Sequence, residues 1–302
     1  MKIRVLFFLL LLGLAALPAQ AKLNVVATLQ DFGSIAEAIG GDKVKVTSLA
    51  RGTEDPHFVD ARPNHIVTLN KADVLLEGGA ELEIGWLPPL LNGARNSKIL
   101  TGGRGHVVMS DGIRLLEVPL TPVDRSMGDV HPLGNPHYWL DPENGKIMAA
   151  HLSEVFSSLD SKNSAAYHAN LEAFKKRLDT KEAEWMKALQ PYRGTKIVTY
   201  HKSFEYFAQR FGLDVIGQLE PKPGIEPSPT HVNSLIPRAK EAGVKLLIVE
   251  PFRPRKTAEY VATQIGAKLL LLPEKVGGNA QTQDYISLFD YDIREITAAL
   301  KK

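Results

Sequence analysis

SAAYHANLEAFKKRLDTKEAEWMKAL, residues 164–189, contains no proline, and its apolar residues Tyr167, Leu171, Phe174 and Leu178 recur at helical spacing. At 1.5 Å per residue a helix of this length spans about 39 Å, comparable to the diameter of a small lobe. The preceding stretch, from Glu143, reads as helix too: Leu152, Val155, Phe156 and Leu159 keep the same period, with a break near Asp160 to Asn163. This strand-free segment predicts a stiff strut between two halves. The competing arrangement is a pair of antiparallel helices lying wholly within one half.

On either side, short β-branched or leucine-rich runs alternate with helical periods. Upstream, Leu23 to Thr28, Lys45 to Leu49 and Val74 to Glu77 predict strands, with helices near Phe32 to Ile39 and Asn64 to Lys71; Ser97 to Val130 gives only weak strand and loop signals. Downstream, Lys196 to Tyr200, Asp214 to Leu219, Lys245 to Val249 and Lys268 to Leu272 predict strands, with helices at Ser203 to Phe211, Thr230 to Ala242 and Arg255 to Ile265. Repeated crossover units imply mainly parallel sheets covered on both faces. The expected fold is therefore α/β, with an N-terminal lobe at 22–143, a connecting helical segment at 144–190 and a C-terminal lobe at 191–302.

The chain of 302 residues is 44% apolar and 23% charged, enough to bury a large core and unlike a disordered or fibrous chain. Met1 to Arg4 carries two cations, Val5 to Leu17 is apolar, and Ala19-Gln20-Ala21 has the small-x-small pattern of a cleavage site, so residues 1–21 read as a secretory signal peptide. The apolar run is shorter than the roughly 18 to 20 residues that a membrane anchor needs. Of the 36 basic residues two lie in this leader, and the remainder balances the 34 acids. A neutral mature chain has no bulk attraction for nucleic acid or anionic lipid. The absence of cysteine removes disulfides, thiolate ligands and the attachment point of a bacterial lipoprotein anchor. The expected product is a soluble, non-lipidated periplasmic monomer.

Ligands of open α/β sheets bind beyond the carboxyl ends of strands, and that rule sorts the nine histidines. His201 directly follows the strand ending at Tyr200. His57 lies in Gly52-Thr53-Glu54-Asp55-Pro56-His57, the loop leaving a first-lobe strand. His137 lies in the proline-bracketed Asn135-Pro136-His137-Tyr138-Trp139-Leu140-Asp141-Pro142. A lone loop histidine is usually just solvated; the case rests on three at separate strand ends. His65, on a polar helical position, and His151, His168 and His231 read as structural or solvated, while His131 stays ambiguous. Three imidazoles without thiolate suit Zn²⁺ best, since Mn²⁺ takes more oxygen donors. Imidazole must be deprotonated to coordinate, so capture should weaken as pH falls toward 6.

These motifs resemble the zinc/manganese-type solute-binding proteins, the cluster A-I (cluster 9) metal receptors of bacterial ABC importers. That family carries an Asp-Pro-His in the first lobe, an Asn-Pro-His-x-Trp-Leu-Asp-Pro before a long connecting helix, and a His-x-x-Phe after the first strand of the second lobe. Here these fall at Asp55 to His57, Asn135 to Pro142 and His201 to Phe204. The resemblance covers essentially the whole mature chain and implies two α/β lobes joined by a rigid helix, with metal in the cleft. It implies His57 and His137 as first-lobe ligands and His201 as the second-lobe ligand, histidine at this last position favouring zinc. The chain lacks the long histidine-rich loop of many zinc receptors, having only His131 in that region. The family's aspartate after the last strand is also missing: Pro273 stands in its place, leaving Glu274 as the nearest oxygen donor, with Glu250 and water as competitors for the fourth position.

The resemblance implies a receptor that hands Zn²⁺ to an inner-membrane ABC permease, and it leaves open whether a metallochaperone loads the site. No enzyme activity, no catalytic residue and no separate cofactor are expected. A manganese or iron receptor of the same fold is one alternative. A periplasmic zinc hydrolase is another, but the chain has no His-Glu-x-x-His helix, Gly-x-Ser-x-Gly elbow or phosphate loop. The proline-rich Glu220 to His231 loop reads either as a cleft wall or permease contact, or as a stiff connection with Ser228 or Thr230 capping a helix. Loop rearrangement is expected on metal exchange in preference to wide hinge closure.

Overall fold

The computed structural model describes residues 22–301, so the leader assigned to 1–21 lies outside the described residues. Strands β1 (Leu23–Ala27), β2 (Val44–Ser48), β3 (Val74–Glu77) and β4 (His106–Val108) form an all-parallel sheet in the order β2-β1-β3-β4. Strands β5 (Lys196–Thr199), β6 (Asp214–Gln218), β7 (Leu246–Val249) and β8 (Lys268–Leu271) form a second parallel sheet in the equivalent order β6-β5-β7-β8. Central strands such as β7 are buried along their whole length, as parallel strands covered on both faces must be. The covering helices are α1 (Gln30–Gly40), α2 (Pro63–Asn70) and α3 (Leu87–Ala94) in the first lobe, and α6 (Glu205–Phe211), α7 (Pro229–Ala242) and α8 (Lys256–Ile265) in the second.

Between the lobes lie α4 (Pro142–Leu159) and α5 (Ser164–Leu189), and the expected break is a single 3-10 turn at Ser161–Asn163. Asp141 starts α4 sharply: its Oδ1 accepts the Glu143 amide at 2.9 Å, and Pro142 needs no hydrogen-bond partner in the first turn. The two helices pack against each other, and α5 also packs on α1 and on α9 (Tyr285–Leu300). Helix α5 therefore leans on both lobes. The long helix between the lobes is the expected strut.

One buried cluster runs from the first sheet through α4, α5 and α9 to one face of the second sheet, with Phe32, Trp139, Phe207, Tyr285 and Phe289 among its members. A smaller cluster fills the other face of the second sheet. Tyr285 Oη donates to the Trp139 carbonyl at 2.6 Å, and Trp139 Nε1 donates to the Glu274 carbonyl at 2.7 Å, so the polar ends of these aromatics are satisfied across the lobe boundary. Near the cleft the lobes touch directly. A Cβ at Gly52 would sit 2.1 Å from the Val276 carbonyl oxygen, so only glycine permits this approach of the two loops.

A clamp of charges fixes the strut outside the core. Arg210 of α6 grips Asp141 through Nε and Nη2 at 2.7 and 2.9 Å. Lys146 of α4 binds Glu143 at 2.6 Å, Glu182 of α5 at 3.2 Å, and Asp179. The three acids come close enough together to resemble a cation site, but the Lys146 ammonium fills the space between them.

Candidate metal centre

The carboxyl ends of both sheets face one cleft, and each strand-end loop there carries a polar side chain. His57 follows β2 and His137 follows β4; His201, Glu220, Glu250 and Glu274 follow β5, β6, β7 and β8 in turn. One ring nitrogen from each of His57, His137 and His201 lies within 4.8 Å of the others, and all three residues are buried. Ring centroids stand 5.2 Å apart for His57 with His137 and with His201, and 5.1 Å apart for His137 with His201. Nitrogens around a tetrahedral zinc at about 2.1 Å sit roughly 3.4 Å apart, so no pair has to close by more than about 1.4 Å.

The motifs explain how the rings are held. In Asp55-Pro56-His57, Asp55 Oδ1 accepts both the His57 backbone N–H and the ring Nδ1–H at 3.0 Å. In Asn135-Pro136-His137, Asn135 Oδ1 accepts the His137 backbone N–H at 2.9 Å and Nδ1–H at 3.0 Å. The same device appears twice: a side-chain oxygen two residues upstream, with proline between to restrict the turn. Because a carboxylate or amide oxygen only accepts, Nδ1 carries a proton, and in the neutral ring Nε2 is then the nitrogen with the free lone pair. Both Nε2 atoms are buried and without a hydrogen-bond partner, an arrangement that calls for a ligand. His201 is held through its Nδ1 by a partner more distant in the sequence. Its Nδ1 lies 2.6 Å from Glu220 Oε2, which also accepts the Gly224 amide at 3.0 Å.

The electrostatics divide the three rings. Burial, then the neighbouring imidazoles, holds His137 far below the usual histidine range and therefore neutral. Burial alone would lower His201 as well, but the Glu220 carboxylate outweighs it and raises the ring above its ordinary value. Burial disfavours an ionised Asp55, yet His57 and Arg253 hold its carboxyl well below the usual range. Arg253 Nη1 lies 3.1 Å from Asp55 Oδ2 and 3.4 Å from Glu220 Oε1, bridging the acceptors of a first-lobe and a second-lobe ring.

Glu274 lies at the site, its Oε2 3.8 Å from His137 Nε2 and its side chain 2% exposed. Its other oxygen, Oε1, accepts from Lys275 Nζ at 2.7 Å, and that ammonium outweighs burial to keep the carboxyl below its ordinary pKa. Glu250, the competing oxygen donor, is buried and accepts from Ser203 Oγ at 2.6 Å; burial, with Glu274 beside it, raises its pKa. His131 stands outside the three-histidine group but near it, with its ring 5.2 Å from His57 and its Nε2 buried without a partner. Burial pushes His131 down to about 3. It lines both a cavity of about 570 Å³ that opens beside His57 and a smaller one that reaches His137 and His201.

The remaining histidines lie elsewhere. His168 Nδ1 is 3.2 Å from Ser153 Oγ, and His231 Nε2 is 3.0 Å from the Gln218 carbonyl. His65 does not hold the polar surface position that its helix suggested: it is 5% exposed, packed inward. The proline-rich loop supplies Glu220 to His201, and Ser228 caps α7 by accepting the His231 amide at 3.2 Å. Glu220, Arg253 and Lys275 are neighbours of the histidine cluster that the residue pattern did not single out. The available signal was position, since Glu220 directly follows a strand in the same way as His201.

Residues 25–299 match the family model described as ZnuA, zinc-uptake complex component A, periplasmic. The chain belongs to the ZnuA family. A crystal structure of ZnuA matches with a TM-score of 0.77 at 27% identity, over 93% of this chain and 100% of that one. Among sequence relatives, the metal ABC transporter substrate-binding lipoprotein ScbA of Streptococcus cristatus is 27% identical over 99% of this chain and 98% of its own length. The manganese ABC transporter substrate-binding lipoprotein PsaA of Streptococcus pneumoniae is 27% identical over 98% and 97%. The ZnuA-like fold of two parallel-sheet lobes with a long helix between them agrees with the reading from strand and helix periods.

Proposed function

We propose that this chain is a periplasmic Zn²⁺ receptor that binds the ion through His57, His137 and His201, with Glu274 as fourth ligand, and passes it to an inner-membrane ABC permease. The observation that carries this reading is the triple convergence of buried imidazoles. Each has its Nδ1 tied to an outer acceptor, which leaves Nε2 for the ion. Three neutral nitrogens and one carboxylate oxygen make a four-coordinate, borderline-soft set that suits zinc. Ligands come from the proposed N-terminal lobe (22–143) and C-terminal lobe (191–302), joined by 144–190, so a small shift of one loop would open the shell for release.

The receptor would act as a monomer that binds and releases without bond chemistry. Asp55, Glu220 and Glu274 are each engaged with an imidazole or a cation, an arrangement for orienting ligands. A chain without cysteine offers no thiol for a lipid anchor, in contrast to relatives named as lipoproteins. No helix among the described residues is long and apolar enough to cross a membrane. PsaA, named as a manganese ABC transporter substrate-binding lipoprotein, favours a second reading in which the same site carries manganese; the nitrogen-rich donor set weighs for zinc. Competitive titration of chelator-stripped protein with Zn²⁺ and Mn²⁺ tests the zinc assignment. Zinc should displace manganese, and the reverse order would refute the zinc assignment.

A further inference from the structure

Lys275 is 1% exposed and stands one residue from the proposed oxygen ligand of a cation site, a place where a buried positive charge is costly. Its position accounts for that cost. The ammonium donates to Glu274 Oε1 at 2.7 Å and lies 4.6 Å from the centroid of the Phe252 ring, so the charge is held from two sides. Glu274 Oε2, the oxygen not bound to lysine, is the one 3.8 Å from His137 Nε2. The carboxylate is thus divided, one oxygen for an internal cation and one facing the imidazoles.

We infer that Lys275 is a specificity-determining residue: by occupying one oxygen of Glu274 it confines that carboxylate to single-oxygen coordination and so selects zinc against manganese. The inference rests on the reading of Glu274 as fourth ligand. Zinc is satisfied by three imidazoles and one oxygen. Manganese draws on more oxygen donors, and the second oxygen of this same carboxylate is the one that Lys275 holds. The lysine's positive charge weakens both divalent ions alike, so charge alone leaves their ratio unchanged; withholding an oxygen changes the ratio. Arg253, the other buried cation near the site, sits behind Asp55 and Glu220, which already face the Nδ1 side of the rings, and therefore has no comparable role.

The test compares wild type with Lys275→Met, which keeps an unbranched side chain against Phe252, using chelator-stripped protein and competitive titration with Zn²⁺ and with Mn²⁺. The dissociation-constant ratio of manganese to zinc should fall by about tenfold or more. If both affinities change by the same factor, Lys275 acts only through charge or packing and the inference fails. Zinc-edge X-ray absorption of the wild type tests the same point without a variant. A single carboxylate oxygen in the first shell is expected; two oxygens at bonding distance would overturn it. Glu274→Ala distinguishes the two levels of the reading. If its zinc affinity matches wild type, the fourth-ligand assignment falls; if zinc weakens there while Lys275→Met leaves the ratio unchanged, only the lysine inference falls.

Discussion

Arg253 Nη1 lies 3.1 Å from Asp55 Oδ2, and this ion pair crosses the cleft from the loop after β7 to the loop after β2. Through it the carboxylate that orients His57 is anchored to the opposite lobe, and the same guanidinium reaches the carboxylate that orients His201. The rings are thus held in place by contacts within the chain itself. Both partners are mostly buried, with side chains 13% and 15% exposed, so removing one leaves a charge uncompensated. Arg253→Met should lower the unfolding free energy of the metal-free protein by about 2 kcal/mol, measured by urea denaturation. A loss within error of zero would mean that the pair is screened and does not align the site.

Asn135→Ala removes the oxygen that accepts both the amide and the ring Nδ1–H of His137. Zinc affinity should fall by about 10- to 100-fold in competition with a fluorescent chelator. Asn135→Asp, which retains the acceptor, should recover most of the loss. If alanine and aspartate behave alike, orientation of His137 does not depend on that bond.

The depressed pKa of His131, about 3, makes a signed prediction for stability. Between that value and the ordinary 6.5, the unfolded chain protonates this ring and the folded chain does not, so its contribution destabilises the fold as pH falls through the window. Relative to His131→Gln, the metal-free wild type should lose up to about 1.4 kcal/mol per pH unit between pH 6 and pH 4. Parallel unfolding curves at pH 6, 5 and 4 measure this, and equal slopes for both proteins would contradict the buried, neutral assignment. His201 has the opposite sign. Its raised pKa contributes stability that is complete below 6.5 and is lost as pH rises through the folded value.

The Arg210–Asp141 grip and the shared aromatic core predict limited lobe motion. Small-angle X-ray scattering curves of metal-free and zinc-loaded protein should superimpose. A clear change in radius of gyration on loading would reveal the hinge that these contacts oppose.

Much of this architecture was legible because parallel sheets write themselves as apolar runs between amphipathic helices. Val74 to Glu77 falls where its residues predict, and the break between α4 and α5 lies at Ser161–Asn163 as expected. Two helices were not legible. Helix α3 begins Leu87-Pro88-Pro89, which reads as loop, although proline is compatible with a first helical turn. Helix α9 carries Asp292 in its buried face, where both carboxylate oxygens lack a partner; an acid there interrupts the apolar stripe.

The histidines were legible through their positions at strand ends. Their supporting residues were not, since Glu220 in a proline-rich loop and Lys275 beside Glu274 look like solvated surface charges until the fold buries them.

The most direct test is isothermal titration of chelator-stripped wild type and of the triple variant His57→Ala, His137→Ala, His201→Ala with Zn²⁺, with circular dichroism confirming that both remain folded. A single tight site per chain in the wild type, abolished in the variant, is the predicted result. Undiminished tight binding by the folded variant would contradict the account.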